Sequence, residues 1–252
     1  MIVLKTPGEI ELLRVVNRAV AEVLKEIESK IAPGITTLEL DEVAERLLRE
    51  RNCEPAFRGY RGYPKSICTS INEEVVHGIP SERKLKEGDI ISIDLGAKYK
   101  DFYGDMAATY PVAKISKEAQ RLLDVSLRSL EAGIAQAKVG NRLGDISSAI
   151  QSMVEKEGFS VVRLFVGHGI GKELHEMPQI PNFGIPGKGV RLKSGMVFAI
   201  EPMVNAGGSE VEILEDGWTA ITKDRSLSAH FEHTIAIREE GPEILTRITE
   251  DA

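Results

Sequence analysis

Apolar residues recur at helical spacing near the start of the chain. Leucines, valines and isoleucines stand three or four positions apart between Leu13 and Ile31, as on one buried face of a helix. The preceding segment 6–9 (TPGE) has the form of a capping box with proline at the first helical position. Pro33 and Gly34 end this run, and a second box at 36–39 (TTLE) predicts another helix.

Short apolar runs replace the helical pattern after Pro64. The runs SICTSI, DIISIDL and AATYPV predict strands. Helical spacing returns from about Lys117 to Lys138 and again from Asn141 to Gly158, and short strands follow. The order of helix, helix and strands therefore occurs twice, which predicts an α/β fold class of two pseudo-symmetric halves.

The two halves also resemble each other in sequence. Residues 86–95 (KEGDIISIDL) align with residues 193–202 (KSGMVFAIEP), and both segments place an acid directly after an isoleucine. This repeat predicts a single domain over residues 1–252, with halves of roughly 1–114 and 115–252. A pseudo-two-fold axis between the halves would bring the acids of equivalent strands to one central site.

Composition excludes several classes of function. Apolar residues make up 42% and charged residues 28% of the chain, as is usual for globular proteins. The net charge of −7 argues against nucleic acid bound through a basic surface. The first residues (MIVLKTPGEIELL) lack a basic segment followed by an apolar one, so we expect no secretory signal, and no run of 18 apolar residues predicts a membrane span. The two cysteines, Cys53 and Cys68, fit a reducing compartment, so we expect a cytoplasmic location.

Four acids lie in or beside apolar strand patterns. Asp94 is expected at a strand end next to Gly96, and Glu201, Asp105 and Glu232 occupy similar contexts. Burying four carboxylates is unfavourable unless cations compensate them, and lysine and arginine are scarce in these strands. Carboxylates with one imidazole suit two divalent metal ions. The alternative is that these acids end strands on the solvent side.

Two of the five histidines, His168 and His175, occur in the glycine-rich segment GHGIGKELHEMP, where a helix is disfavoured. Taken alone, this segment also fits a turn with two exposed imidazoles. Together with NEEVVHGIP, IDLGAKYKDFYGDMAATY, FAIEPMV and SAHFEHTI, however, it closely resembles the signature blocks of type I methionine aminopeptidases. The chain resembles the short bacterial form, without the zinc-binding extension of longer type I forms or the insertion of type II.

This resemblance implies the pita-bread fold, in which two α/β halves surround a dinuclear metal site. The implied metal ligands are Asp94, Asp105, His168, Glu201 and Glu232. Asp105 and Glu232 would bridge both ions. Asp94 would hold one ion, and His168 with Glu201 the other.

The resemblance also implies roles in catalysis. Glu201 would act as general base, His175 would donate a hydrogen bond to the oxyanion, and His77 would orient the scissile peptide. His77 and His175 would face and bind the substrate, and an apolar pocket would bind its methionine side chain. Its implied residues are Phe57, Tyr60, Tyr63, Cys68, Leu174 and Trp218. For Tyr60 and Tyr63, a place in the core of a strand is the alternative.

Some positions depart from the family pattern. Phe57 often corresponds to cysteine in bacterial relatives, Leu174 to phenylalanine, and His230 commonly to glutamine. These changes concern the shape of the pocket, and we assign no role to His230 or His233.

The implied activity is removal of the initiator methionine from proteins and peptides with a small second residue. The expected cofactors are two divalent ions, with Co, Mn, Fe and Zn as candidates. The expected partners are nascent polypeptide N-termini and Met-peptides, with the ribosome as a further candidate. We expect no binding to a specific nucleic acid or to a membrane, and we expect the protein to be a monomer. The alternatives are an X-Pro aminopeptidase or prolidase of the same fold, or a non-catalytic binding protein that shares it.

Overall fold

A computed structural model of the chain describes residues 2–248. Within that range, four α-helices and one short 3₁₀-helix at Tyr60–Gly62 accompany fifteen strands. The helices are α1 (Pro7–Glu28), α2 (Thr37–Glu50), α3 (Lys117–Gln136) and α4 (Leu143–Lys156). The strands are β1 (Glu54–Pro55), β2 (Cys68–Ile71), β3 (Glu74–Val76), β4 (Ile90–Tyr99), β5 (Phe102–Pro111), β6 (Ser160–Val161), β7 (Gly167–Gly169), β8 (Glu176–Ile180), β9 (Val197–Ile200), β10 (Met203–Asn205), β11 (Val211–Ile213), β12 (Ala220–Thr222), β13 (Ser228–His230), β14 (His233–Arg238) and β15 (Gly241–Ile244).

Both predicted capping boxes are present. The Glu9 carboxylate accepts a hydrogen bond from the Thr6 backbone N–H at 2.9 Å, and the Thr6 hydroxyl accepts one from the Glu9 N–H at 3.3 Å. Thr36 and Glu39 repeat this pattern at 2.7 and 3.1 Å. Each box satisfies backbone N–H groups that the first helical turn leaves unpaired. All four predicted helices are present and confirmed, although α1 ends at Glu28, before the predicted Ile31, and α3 ends two residues before the predicted Lys138.

The described residues form four separate sheets, and two of these sheets contribute to the site described below. In the first, β4 pairs with β1, β2 and the whole length of β5. In the second, the strand order is β15-β14-β9-β7-β8. Because β5 pairs with β4 from end to end, β4 continues past Asp94 to Tyr99. Asp94 therefore lies in the middle of a strand, and its expected place at a strand end is wrong.

Each helix pair buries one face against a sheet. Val20 of α1 and Leu48 of α2 join Ile91 and Ile93 of β4 in one apolar cluster. A second cluster joins α3 and α4 to the other sheet, with Leu122, Ile150, Phe198 and Ile235 as members. Full burial of such side chains contributes about 1.5–3 kcal/mol each. The mixed α/β fold class predicted from the sequence is confirmed.

The repeat seen in the sequence has counterparts in backbone contacts. The Gly34 N–H donates to Leu85 O at 2.8 Å, and the Gly140 N–H donates to Leu192 O at 3.1 Å. Both glycines adopt a left-handed backbone, with φ of 97° and 94°. The assignment of one domain with halves that meet near residue 114 stays a prediction. None of the helices within residues 2–248 is long and apolar enough to span a membrane.

Candidate metal centre

The β4–β5 hairpin supplies two carboxylates to one face of its sheet. Gly96 pairs with Asp105 across the hairpin, and Asp94 lies two residues before Gly96 on the same face of β4. Gly96 has no side chain to separate them. A methyl group built there would lie 2.4 Å from the ring of Phe57, so glycine also leaves room for that ring.

The second sheet supplies an imidazole and two more carboxylates. His168 of β7 pairs with Ala199 of β9. Glu201 lies two residues after Ala199 and therefore on the same face of the sheet. Ile200 of β9 pairs with His233 of β14. Glu201 directly follows Ile200, and Glu232 directly precedes His233. The Glu232 N–H donates to Ala107 O of β5 at 2.8 Å. This hydrogen bond joins the two sheets beside the carboxylates.

All thirteen residues implied by the family resemblance line one cavity of about 150 Å³. Its lining comprises Phe57, Tyr60, Arg61, Tyr63, Cys68, His77, Asp94, Asp105, His168, Leu174, His175, Glu201, Trp218 and Glu232. The lining combines carboxylates and imidazoles with aromatic and aliphatic side chains that belong to one apolar cluster. An ionic site and an apolar pocket therefore adjoin.

Asp105, His168 and Glu232 place one ligand atom each within 4.8 Å of one another. Glu201 Oε1 lies 3.6 Å from His168 Nε2. His168 Nδ1 lies 2.9 Å from Gly169 O. Because a carbonyl oxygen only accepts hydrogen bonds, Nδ1 is the donor, and the lone pair of Nε2 faces the carboxylates. Burial lowers the pKa of His168 to about 3, so this imidazole is neutral at physiological pH.

The carboxylates have the properties expected of metal ligands. Oxygens of Asp94, Asp105 and Glu232 are buried with no hydrogen-bond partner among the described residues. Burial, with repulsion between neighbouring carboxylates, raises the pKa of each of these three acids. Of the lining residues, only Arg61 carries a fixed positive charge. Unpaired oxygen donors with one neutral imidazole fit divalent cations. A solvent-side location for these acids is wrong.

His168 and His175 differ in environment although their rings lie 4.3 Å apart. His168 is buried within β7, so the alternative of a turn with two exposed imidazoles is wrong for it. His175 is exposed to the cavity, and its Nδ1 lies 2.9 Å from the Tyr60 hydroxyl. Partial loss of hydration among the residues that line the cavity, together with the positive charge of Arg61, lowers the pKa of His175 to about 4. If Nδ1 of the neutral ring accepts the Tyr60 proton, Nε2 carries the ring proton and can donate it to a group in the cavity.

Aromatic rings form the apolar side of the cavity. Trp218 meets Tyr63 edge to face at 5.0 Å and His77 at 6.4 Å. The Tyr63 hydroxyl has two backbone acceptors within hydrogen-bond distance, Gly78 O at 2.9 Å and Ile67 O at 3.0 Å. Tyr60 begins the 3₁₀-helix and Tyr63 directly follows it, so their alternative assignment to the core of a strand is wrong.

Two lining or adjoining residues were given no role from the sequence. His230 is buried, and its Nε2 lies 3.5 Å from Glu201 Oε2 without a hydrogen-bond partner among the described residues. The spacing of His230 and Glu232 was a usable signal, because residues two apart in an extended segment share a face. Arg61 lines the cavity with its guanidinium 5.4 Å from the Tyr60 ring, and no sequence pattern indicated this. His233 instead contacts Thr246 at 2.8 Å.

A mixed α/β fold around a buried cluster of carboxylates and an imidazole is typical of metal-dependent enzymes. Residues 11–239 match metallopeptidase family M24, and the chain belongs to that family. A relative in Bacillus subtilis (strain 168), methionine aminopeptidase 1, is 56% identical, over 98% of this chain and 100% of the relative. The crystal structure of methionine aminopeptidase from Thermotoga maritima superposes with a TM-score of 0.97, at 50% identity, over 98% and 100% of the two chains.

These comparisons confirm the family resemblance and the pita-bread fold inferred from the sequence. A prolidase from Pyrococcus furiosus superposes with a TM-score of 0.78 at 24% identity, over 98% of this chain and 66% of that one. This likeness shows a shared fold alone.

Proposed function

We propose that this protein is a methionine aminopeptidase that removes the N-terminal methionine from new proteins and peptides with a small second residue. The supporting observation is the single cavity in which five candidate metal ligands adjoin an apolar pocket. Relatives named methionine aminopeptidase match nearly the whole chain, at 56% and 51% identity. The substrates are accordingly nascent protein N-termini and Met-peptides.

The ligand set proposed for two divalent ions is Asp94, Asp105, His168, Glu201 and Glu232. Within it, Asp105 and Glu232 would contribute to holding both ions, for which Co, Mn, Fe and Zn are the candidates. When bound, the ions polarise the scissile carbonyl and lower the pKa of water, so that a nucleophile is available at neutral pH. The unpaired carboxylate oxygens and the neutral His168 support this assignment.

The remaining chemistry falls to side chains of the chain itself. Glu201 takes a proton from the attacking water and delivers it to the leaving amine. His175 donates a hydrogen bond from Nε2 to the oxygen on which negative charge develops, while Tyr60 holds its Nδ1. His77, at the edge of Trp218, orients the scissile peptide.

The apolar side of the cavity suits an unbranched thioether. Phe57, Tyr63 and Trp218 offer ring edges and faces, with which methionine sulfur makes favourable contacts. Leu174 and Cys68 complete this side of the cavity. We place the reaction in the cytoplasm, consistent with two buried cysteines that are both free thiols. Association with the ribosome and a monomeric state stay predictions.

Hydrolysis of defined peptides tests the proposal. The purified protein, loaded with Mn(II), Fe(II) or Co(II), should release methionine from Met-Ala-Ser and from matching peptides with Gly or Ser second. Met-Lys-Ser and Met-Phe-Ser should be cleaved poorly. A Glu201→Gln variant purified in parallel controls for contaminating peptidases. Preferential cleavage of Leu-Pro or other X-Pro peptides would contradict the proposal and favour the prolidase-like alternative.

A further inference from the structure

Lys5 has an unusual environment for a lysine. Only 3% of its side chain is exposed, and its Nζ lies 2.5 Å from Glu176 Oε2. Lysine is rarely buried in this way unless an acid pairs with it. The Lys5 backbone N–H also donates to Gly195 O at 2.7 Å. The segment before α1 is therefore fixed to the residues that precede β9.

Glu176 holds the other side of this ion pair and organises the loop 171–176. Its Oε1 accepts hydrogen bonds from the backbone N–H groups of Lys172 at 2.9 Å and Glu173 at 3.4 Å. Glu176 pairs with Gly169 across β7 and β8, and it directly follows His175. One carboxylate thus joins both ends of the loop that carries His175 into the cavity.

Gly171 shows how closely this arrangement is packed. A methyl group built on it would lie 2.3 Å from Lys5 Cε and 2.5 Å from Glu176 Oε1. The carbonyl oxygen of Gly171 accepts a hydrogen bond from the Tyr103 N–H at 2.8 Å. The ion pair therefore packs directly against Gly171, and the loop is also hydrogen-bonded to the β4–β5 hairpin.

We propose that Lys5 and Glu176 are positioning residues for His175. Lys5 is bonded to the residues ahead of β9, after which Glu201 follows, while Glu176 is bonded to the loop of His175. The pair thus sets the position of the hydrogen-bond donor relative to the base. This inference rests on the proposed function, in which His175 stabilises the oxyanion.

Loss of the pair should reduce turnover more than substrate binding. The hydrogen bond from His175 matters mainly where charge develops, so its misplacement lowers kcat and leaves KM nearly unchanged. A displacement of about 1 Å can cost roughly 10²-fold in rate. The metal ligands are not part of the ion pair, so metal content should be unchanged.

Two variants and a matched control test the inference. Lys5→Met and Glu176→Gln each remove the ion pair, and Lys5→Arg keeps its charge. Lys223→Met is the control, because it breaks an exposed pair with Glu210 at 3.1 Å. We expect kcat on Met-Ala-Ser to fall roughly 10- to 100-fold in the first two variants, with recovery in Lys5→Arg and no change in the control. Unchanged kcat in both pair-breaking variants would overturn the inference.

An NMR measurement on metal-free protein tests the positioning of His175 without an activity assay. The imidazole ¹⁵N shifts of His175 should report a hydrogen-bonded Nδ1 in the wild type and conformational averaging in Lys5→Met. Identical His175 shifts in the two proteins, or a metal content that falls in step with kcat, would reject the positioning role. Wild-type protein inactive on every Met-peptide would reject the proposed function instead, while the shifts would still decide whether the pair positions His175.

Discussion

Separate replacement of His168 and His175 by alanine should produce two different losses. The rings lie 4.3 Å apart, yet they belong to different parts of the proposed mechanism. His168 presents a lone pair at Nε2 to the buried carboxylates, with Nδ1 held by Gly169 O at 2.9 Å. In the proposed mechanism His175 donates an N–H to the substrate, and its Nδ1 lies 2.9 Å from the Tyr60 hydroxyl.

The magnitudes follow from these contacts. Changes to outer-shell partners of metal ligands typically cost about 10–100-fold in metal affinity, so loss of the proposed ligand His168 should cost at least that much. His175→Ala leaves the proposed ligand set intact and removes one donor to the oxyanion. The loss of one such donor costs about 10²–10³ in kcat, or roughly 2.7–4 kcal/mol.

The assay combines metal content by mass spectrometry, metal affinity by calorimetry on apoprotein, and steady-state kinetics on Met-Ala-Ser. His168→Ala should retain less metal than the wild type after dialysis. His175→Ala should retain the wild-type amount and lose turnover. Metal loss in His175→Ala that equals the loss in His168→Ala would refute the division of roles between the two histidines.

Three further outcomes are expected. A chelator should abolish the activity of the wild-type protein, and added Mn(II), Fe(II) or Co(II) should restore it. The same ions should restore the activity of Glu232→Gln only in part, since a neutral amide is a poor metal ligand. Full activity of either protein in metal-free buffer would contradict this. Gly96→Ala should raise KM for Met-Ala-Ser without changing metal content, because the added methyl would lie 2.4 Å from the Phe57 ring and push it into the pocket; an unchanged KM would show that the ring has room to move. Thr36→Ala should lower the free energy of unfolding by about 1 kcal/mol in urea titrations, since it removes the capping oxygen of α2, while leaving kcat unchanged.

Local sequence patterns were sufficient for the helices and for the kind of site. The boxes at Thr6 and Thr36 act within one helical turn, so they can be identified from four consecutive residues. Acids such as Asp105 within an apolar strand pattern indicated a metal, because a buried carboxylate requires a compensating cation. The sequence repeat likewise indicated two similar halves.

The meeting of particular side chains was decided by the tertiary structure. Asp94 lies beside Asp105 because the register of β4 and β5 places Gly96 opposite Asp105, and periodicity does not encode register between strands. The contact of His230 with Glu201 and the ion pair of Lys5 with Glu176 join elements that are distant in the chain. Such contacts depend on how whole sheets and loops pack together, and neither the helical nor the strand period of a single segment contains that information.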